Sequence, residues 1–125
     1  MVSREINDDA FIKCTQLKGI LTIGSNVTII HDTTFKGFSK MIGPLITPDS
    51  VEYIGSNAFA DCSGFESLTL SNPLTNISWS TFSGCLGFKG ELIIPELVTN
   101  ISQIAFSRCH DFSGDLIILD SVILI

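Results

Sequence analysis

The side chains best suited to chemistry in this 125-residue chain are its four cysteines and two histidines. Thiolates and imidazoles serve as nucleophiles, general bases and zinc ligands. Their positions are Cys14, Cys62, Cys85, Cys109, His31 and His110. Zinc ligands normally come in pairs a few residues apart, as in CxxC, and no such pair occurs in the sequence. Neither histidine has a nucleophile and a supporting acid at matching positions, as a catalytic triad requires. We therefore predict no catalytic residue and no metal site.

Sites for phosphate and calcium are not indicated either. The sequence contains no GxGxxG or GxxxxGK string and no DxDxDG loop. Its acidic residues are scattered, which is typical of a solvated surface. The sequence thus predicts a protein that is not an enzyme and that needs no cofactor.

The composition predicts a packed domain, since 45% of the residues are hydrophobic and only 16% are charged. This balance excludes intrinsic disorder. A net charge of −6 and a pI near 4.6 disfavour nucleic acid as a partner, because phosphates would be repelled. No apolar stretch approaches the roughly 20 residues of a membrane-spanning helix. The N-terminal residues lack the apolar core of a signal peptide.

Phenylalanine recurs at a fixed interval along the chain. Five of the nine lie at Phe11, Phe35, Phe59, Phe82 and Phe106, with separations of 24, 24, 23 and 24 residues. An isoleucine stands five places before each one, at Ile6, Ile30, Ile54, Ile77 and Ile101. Periods of this length mark solenoids, in which each unit buries its apolar face against its neighbours.

A short segment with strand-like alternation follows each of these phenylalanines. The five segments are residues 21–23, 45–47, 68–70, 92–94 and 116–118. We predict a mainly β solenoid of about five turns of 23–24 residues, stacked into a short parallel sheet. The whole chain, residues 1–125, forms one domain in this interpretation, with repeats at approximately 6–29, 30–53, 54–76, 77–100 and 101–125.

The cysteines occupy one position of this repeat, three places after the phenylalanine. In the second repeat the position is taken by Phe38, so it requires an apolar filler rather than a bonding partner. Stacked side chains point the same way, which opposes disulfide geometry between adjacent turns. We predict buried free thiols, with a disulfide between neighbouring turns as the alternative.

The pattern Ile-x4-Phe-x2-Cys, with the preceding Leu-x-Ile-Pro-x-x-Val-Thr-x-Ile, resembles the BspA-like leucine-rich repeats, also called the Treponema pallidum type. Residues 90–109 (GELIIPELVTNISQIAFSRC) and 54–62 (IGSNAFADC) match it closely. Ser78 and Ser102 depart from it, because the pattern favours glycine there. The resemblance implies a right-handed leucine-rich repeat solenoid. It also implies a surface-exposed protein of the kind found in anaerobic bacteria and mucosal protist parasites, where members are linked to adhesion.

The middle residues of the predicted strands should project outward as a stripe on the sheet. They are Thr22, Ile46, Thr69, Ile93 and Ile117, flanked by Glu91 and Asp115. Trp79 and Tyr53 also fall on outward positions, and such aromatics are enriched at interfaces. We predict that these residues form a candidate protein-binding surface. The alternative is that Thr and Ile are present only because they suit exposed strands.

Three N-x-S/T sequons lie at Asn26, Asn76 and Asn100. Asn76 and Asn100 occupy the same repeat position, directly before an inward isoleucine, so their side chains should face solvent. They are candidate glycosylation sites. Plain turn or strand-edge asparagines are the alternative.

Together these patterns favour a non-enzymatic protein-binding or adhesion module of a cell-surface or secreted protein. The sequence does not identify the protein partner. A structural spacer and an intracellular interaction scaffold are the alternatives. The apolar ending SVILI lacks the polar outer face of a capping repeat. We therefore expect a longer array of which the chain is a part, or self-association through the C-terminal coil.

Overall fold

The repeat winds into a mainly β solenoid of about four turns in a computed structural model, which describes residues 5–6, 14–114 and 123–124. Each turn passes through a strand segment, a corner, a second strand segment and the segment that carries the phenylalanine. The order follows from the sequence, because glycine, proline and polar residues punctuate the apolar runs at every corner. None of the described residues lies in a helix, so none belongs to a helix that could span a membrane.

The strands are short, and all the strand pairs are parallel. Their bounds are β1 Glu5–Ile6, β2 Gly19–Ile20, β3 Ile29–Ile30, β4 Met41–Ile46, β5 Tyr53–Ile54, β6 Phe65–Thr69, β7 Asn76–Ile77, β8 Asn100–Ile101 and β9 Ile123–Leu124. They form three sheets in the described part of the chain, with orders β1-β3-β5, β2-β4-β6 and β7-β8-β9. Strand pairing between successive turns is what a stacked parallel solenoid requires.

The predicted strands are correct in part. Segments 45–47 and 68–70 overlap the ends of β4 and β6, but the first turn has its strand at Gly19–Ile20 rather than at 21–23. Segment 92–94 forms no strand, and its turn is joined to the next by an isolated bridge from Gly90 to Phe112. Segment 116–118, with Ile117 and Asp115, lies outside the described residues. The alternation located the buried positions correctly, but hydrogen bonding begins two to four residues earlier because those residues are also extended.

The isoleucines before the phenylalanines form a second column of strands, which was not predicted. Ile6, Ile30 and Ile54 are register partners in β1, β3 and β5. Ile77 pairs with Ile101, and Ile101 pairs with Leu124. The expected partner of Ile101 was Ile125, so the last pairing is one residue short of the 24-residue period.

The strand ladders are interrupted where the third turn is one residue short. Leu45 pairs with Leu68 and Ile46 with Thr69, a step of 23 residues, whereas the bulge between Gly43 and Pro44 absorbs a change of register before them. Turn four has Gly90 and Glu91 where turn three has Ser67 alone, and β6 is the last strand of its sheet. In the second column, β5 and β7 likewise belong to different sheets.

Side-chain hydroxyls connect the turns at this interruption. The Ser78 hydroxyl donates to the Ile54 carbonyl at 2.9 Å, and the Thr81 hydroxyl donates to the Gly55 carbonyl at 3.2 Å. Both side chains are buried, so each bond also satisfies a polar atom that would otherwise destabilise the core. The departure from glycine at Ser78 thus has a structural role.

The phenylalanine rings stack along the solenoid axis. Ring centroids of Phe35 and Phe59 lie 5.2 Å apart, those of Phe59 and Phe82 5.8 Å, and those of Phe82 and Phe106 5.5 Å, with interplanar angles of 12°, 5° and 12°. Phe65 and Phe88 meet the stack edge-on. This column is the centre of the core, and its backbone segment continues unbroken across turns three and four.

Tight winding of the phenylalanine segment places non-glycine residues in the left-handed region. Two places before each ring the φ angles are +59° at Thr33, +58° at Asn57, +58° at Ser80 and +52° at Ile104. Asparagine tolerates this region, whereas a β-branched residue is strained there. Ile104 is therefore the least suited of the four.

We expect Ile104→Asn to stabilise the protein by about 1 kcal/mol, because left-handed strain at an L-residue costs about 1–2 kcal/mol and this side chain is 48% exposed. Urea unfolding followed by Trp79 fluorescence measures the change. Ile104→Val keeps the branched Cβ and should gain nothing. Equal midpoints for the Asn and Val variants would show that the strain is relieved elsewhere.

Candidate functional site

The four cysteines are free thiols in the structure, and three of them bond backward to the preceding turn. The sulfur atoms of Cys62, Cys85 and Cys109 donate to the carbonyls of Phe35, Phe59 and Phe82 at 3.0, 3.1 and 3.0 Å. Each thiol is therefore a small apolar filler that also joins two turns.

These thiols are poor candidates for nucleophilic chemistry. Burial raises the pKa of the Cys62 thiol from 9.0 to about 12. The hydrogen bond with Cys109, together with burial, raises the pKa of Cys85. A nucleophilic cysteine needs the opposite shift, since the thiolate is the reactive form. The role of Cys62 and Cys85 is structural.

The histidines lie on separate turns, each beside one carboxylate. His31 Nε2 is 3.2 Å from Glu5 Oε2, and His110 Nδ1 is 3.3 Å from Asp111 Oδ1. Within the described ranges, no three His, Cys, Asp or Glu side chains come together as a metal site would require. The chemistry of this surface is thus that of binding.

The predicted stripe lies on the outer face of the β2-β4-β6 sheet and its continuation. Ile46 and Thr69 are register partners, and both are exposed. Ile46 is 51% exposed and Ile93 is 69% exposed, and Thr22 is exposed in the first turn. Their outward orientation agrees with the sequence pattern, whereas their role in binding stays a prediction. Ile117 and Asp115, the last members, lie outside the described residues.

Further apolar residues extend this face, and the sequence reasoning missed them. Ile20, Ile42 and Pro44 are exposed next to the stripe, Ile20 to 67%. They stand two or four places before Thr22 and Ile46, so the same alternation, continued backward, identifies them. We call the stripe together with these residues the sheet face.

A cavity opens on the sheet face between turns one and two. Its volume is about 200 Å³, and its lining is almost wholly apolar. The lining residues are Ile20, Leu21, Thr22, Ile23, Pro44, Ile46 and Pro48. Its walls are close together because Gly43 has no side chain: a Cβ there would lie 3.4 Å from the Ile20 side chain. Ile20 therefore lies over the glycine of the next turn.

Charge is distributed unevenly along the solenoid. Residues 1–48 hold five basic and four acidic residues, whereas residues 49–125 hold two basic and nine acidic residues. On the sheet face the exposed charges are Lys18 in turn one, Glu66 in turn three, and Lys89 and Glu91 in turn four. The Glu91 side chain lies over Gly114, where a Cβ would be 3.1 Å from its Cγ. The face is thus apolar at one end and net acidic towards the other.

The remaining predicted residues lie on other segments of the turns. Tyr53 is part of β5, in the second strand column, and Trp79 lies on the corner that follows β7. Both are exposed, but the structure places neither in the sheet that bears the stripe. Their involvement in binding remains a prediction.

The three sequon asparagines differ in accessibility. Asn26 is exposed in a turn, whereas Asn76 and Asn100 are half-buried partners in β7 and β8. The Asn76 side-chain amide donates to the Ser78 hydroxyl at 3.2 Å. Full exposure was expected at both strand positions, and strand pairing reduces it. Modification of any of the three remains untested.

A parallel solenoid with a repeated phenylalanine core and an exposed apolar sheet face defines a leucine-rich repeat protein of the interaction type. The family profile described as the BspA type leucine rich repeat region matches residues 2–113 in 6 copies. The chain belongs to this family. Leucine-rich repeat families are generally non-enzymatic.

Two solved structures are similar to this chain. One is a leucine-rich repeat protein from Bacteroides ovatus, with a TM-score of 0.67 and 22% identity over 97% of this chain and 42% of that one. Another is a leucine rich cell surface protein from Faecalibacterium prausnitzii, with a TM-score of 0.58 and 24% identity over 77% of this chain and 32% of that one. The chain thus spans less than half of either. No curated protein matches the sequence.

Proposed function

We propose that the chain is a non-enzymatic protein-binding module of a cell-surface protein and that it acts in adhesion through the sheet face. The observation that supports this most directly is the exposed apolar row, with Ile20, Ile46 and Ile93 each at least half exposed. Monomeric proteins rarely expose large contiguous apolar patches unless they bind something. A stacked solenoid is well suited to the task, because its core holds the face rigid.

The family and one of the similar structures support a surface location. The Faecalibacterium prausnitzii protein is described as a cell surface protein, and this chain shares its fold. Partner identity follows from neither comparison. The acidic surface disfavours nucleic acid, and the apolar row favours protein.

A test compares adhesion of beads coated with the 125-residue chain or with its Ile46→Ser/Ile93→Ser variant to epithelial monolayers and to plates coated with extracellular-matrix proteins. We expect the double variant to lose at least ten-fold in retained beads, because both side chains are exposed and should contribute only when a partner covers them.

The matched control is Leu86→Ser/Ile104→Ser, which removes two equally exposed apolar residues outside the sheet face. Retention by the control at the level of the parent chain supports the proposal. Equal retention by all three proteins, with unchanged circular dichroism, would instead favour a spacer without a binding role.

A further inference from the structure

The two ends of the sheet face differ in chemistry, and this difference defines what can cover it. The cavity of about 200 Å³ lies between turns one and two and is lined by aliphatic and proline side chains. An apolar cavity of ~150 Å³ accommodates a benzene ring. This end therefore has room for one aliphatic or aromatic side chain of a partner.

Carboxylates lie towards the other end of the sheet face. Glu66 and Glu91 are exposed in turns three and four, beside the exposed Ile93. Lys89 offsets one of these charges locally, but residues 49–125 as a whole carry nine acidic against two basic residues. A segment lying over this end is stabilised by positive charge and destabilised by negative charge.

The spacing between the two ends follows from the stacking of parallel strands. Neighbouring strands lie about 4.8 Å apart, so the cavity is about 12 Å from the strand segment of turn four. An extended chain advances about 3.3 Å per residue, which makes this distance about four residues.

We infer that the partner is a protein segment with an aliphatic or aromatic anchor residue and a lysine or arginine about four positions away. The anchor occupies the cavity formed by Ile20, Pro44 and Ile46, and the cation lies over Glu66 and Glu91. The inference rests on the proposed function, since it specifies the partner of the same face. Gly43 keeps the path between turns open, because it presents no side chain to the segment.

The experiment titrates the 15N-labelled 125-residue chain with synthetic nine-residue peptides, up to millimolar concentration, and follows backbone amide shifts. The first peptide has a leucine followed four positions later by two lysines, in an otherwise Ser/Gly sequence. The second replaces the lysines by glutamates, and the third replaces the leucine by serine. We expect saturable shifts around Leu21–Ile23 and Glu91 with the first peptide. Each replacement should weaken binding at least five-fold.

Variants assign each end of the peptide to its end of the face. Glu66→Gln/Glu91→Gln should weaken the first peptide about five-fold and remove most of the salt dependence. Glu52→Gln, which neutralises an exposed carboxylate outside the sheet face, should leave the affinity unchanged. Thr22→Trp should fill the cavity and abolish the shifts caused by leucine.

Equal affinity for the lysine and glutamate peptides would overturn the cationic partner. So would the absence of shifts on the sheet face at millimolar peptide. Either result would leave the bead assay free to support or refute adhesion through Ile46 and Ile93, so the two proposals fail separately.

Discussion

Phe59→Ala is expected to destabilise the protein by about 3–5 kcal/mol, the usual loss for a buried phenylalanine. Its ring is fully buried, is stacked between Phe35 and Phe82 at 5.2 and 5.8 Å, and meets Phe65 edge-on. Removing it leaves a cavity in the middle of the column and separates two stacked pairs. Such a loss is a large part of the 5–15 kcal/mol that keeps a typical domain folded.

Equilibrium unfolding in urea, followed by circular dichroism and by Trp79 fluorescence, measures this effect. Phe59→Leu fills part of the space and should cost about 1–2 kcal/mol, which keeps the experiment informative if the alanine variant does not fold. Leu86→Ala, at an exposed position, should change the stability by less than about 1 kcal/mol. A Phe59→Ala protein as stable as Leu86→Ala would refute the ring column as the centre of the core.

Alkaline pH is expected to unfold the protein because its buried thiols ionise. The pKa of Cys62 is raised by burial to about 12, against 9.0 in an ordinary environment. The unfolded chain therefore loses this proton at lower pH than the folded chain does. The stability from this thiol is fully present below pH 9 and is lost as the pH rises to 12. Three pKa units correspond to about 4 kcal/mol.

Cys62→Ser separates the thiol from other groups that titrate in this range. A serine hydroxyl can donate to the Phe35 carbonyl as the thiol does, but it does not ionise. We expect the free energy of unfolding of this variant to fall less steeply between pH 9 and pH 11. Adding Cys85→Ser should flatten the profile further, since the pKa of Cys85 is also raised. Parallel profiles for the variants and the parent chain would exclude the thiols as the cause.

The repeat predicted the fold because its strongest signals are steric. A phenylalanine every 23 or 24 residues can be buried only if the turns stack, and the structure stacks those rings. The cysteine position was read correctly as an apolar filler. Its bond to the carbonyl of the preceding turn could not be predicted, because that carbonyl is remote in the sequence and only the winding brings it near.

Strand bounds were less predictable than burial. Leu45 and Leu68 are buried as the alternation requires, yet pairing depends on both neighbouring turns having the same length. The missing residue of turn three was visible in the sequence. Its effect on pairing in both strand columns was not, since a local insertion or deletion can be absorbed in a corner. The cavity was missed for a related reason: it needs Ile20 and Pro44 from two different turns.

The interrupted strand ladders have a mechanical consequence. A stacked rod resists bending through the backbone bonds that join its turns. Between turns three and four this load falls on the phenylalanine segment, where the amides of Asn57, Phe59 and Asp61 donate to the carbonyls of Trp79, Thr81 and Ser83. Flexing is therefore concentrated at one joint, with the apolar cavity on one side and Glu91 on the other. The protein can vary the span between the two ends of its sheet face without disturbing either end.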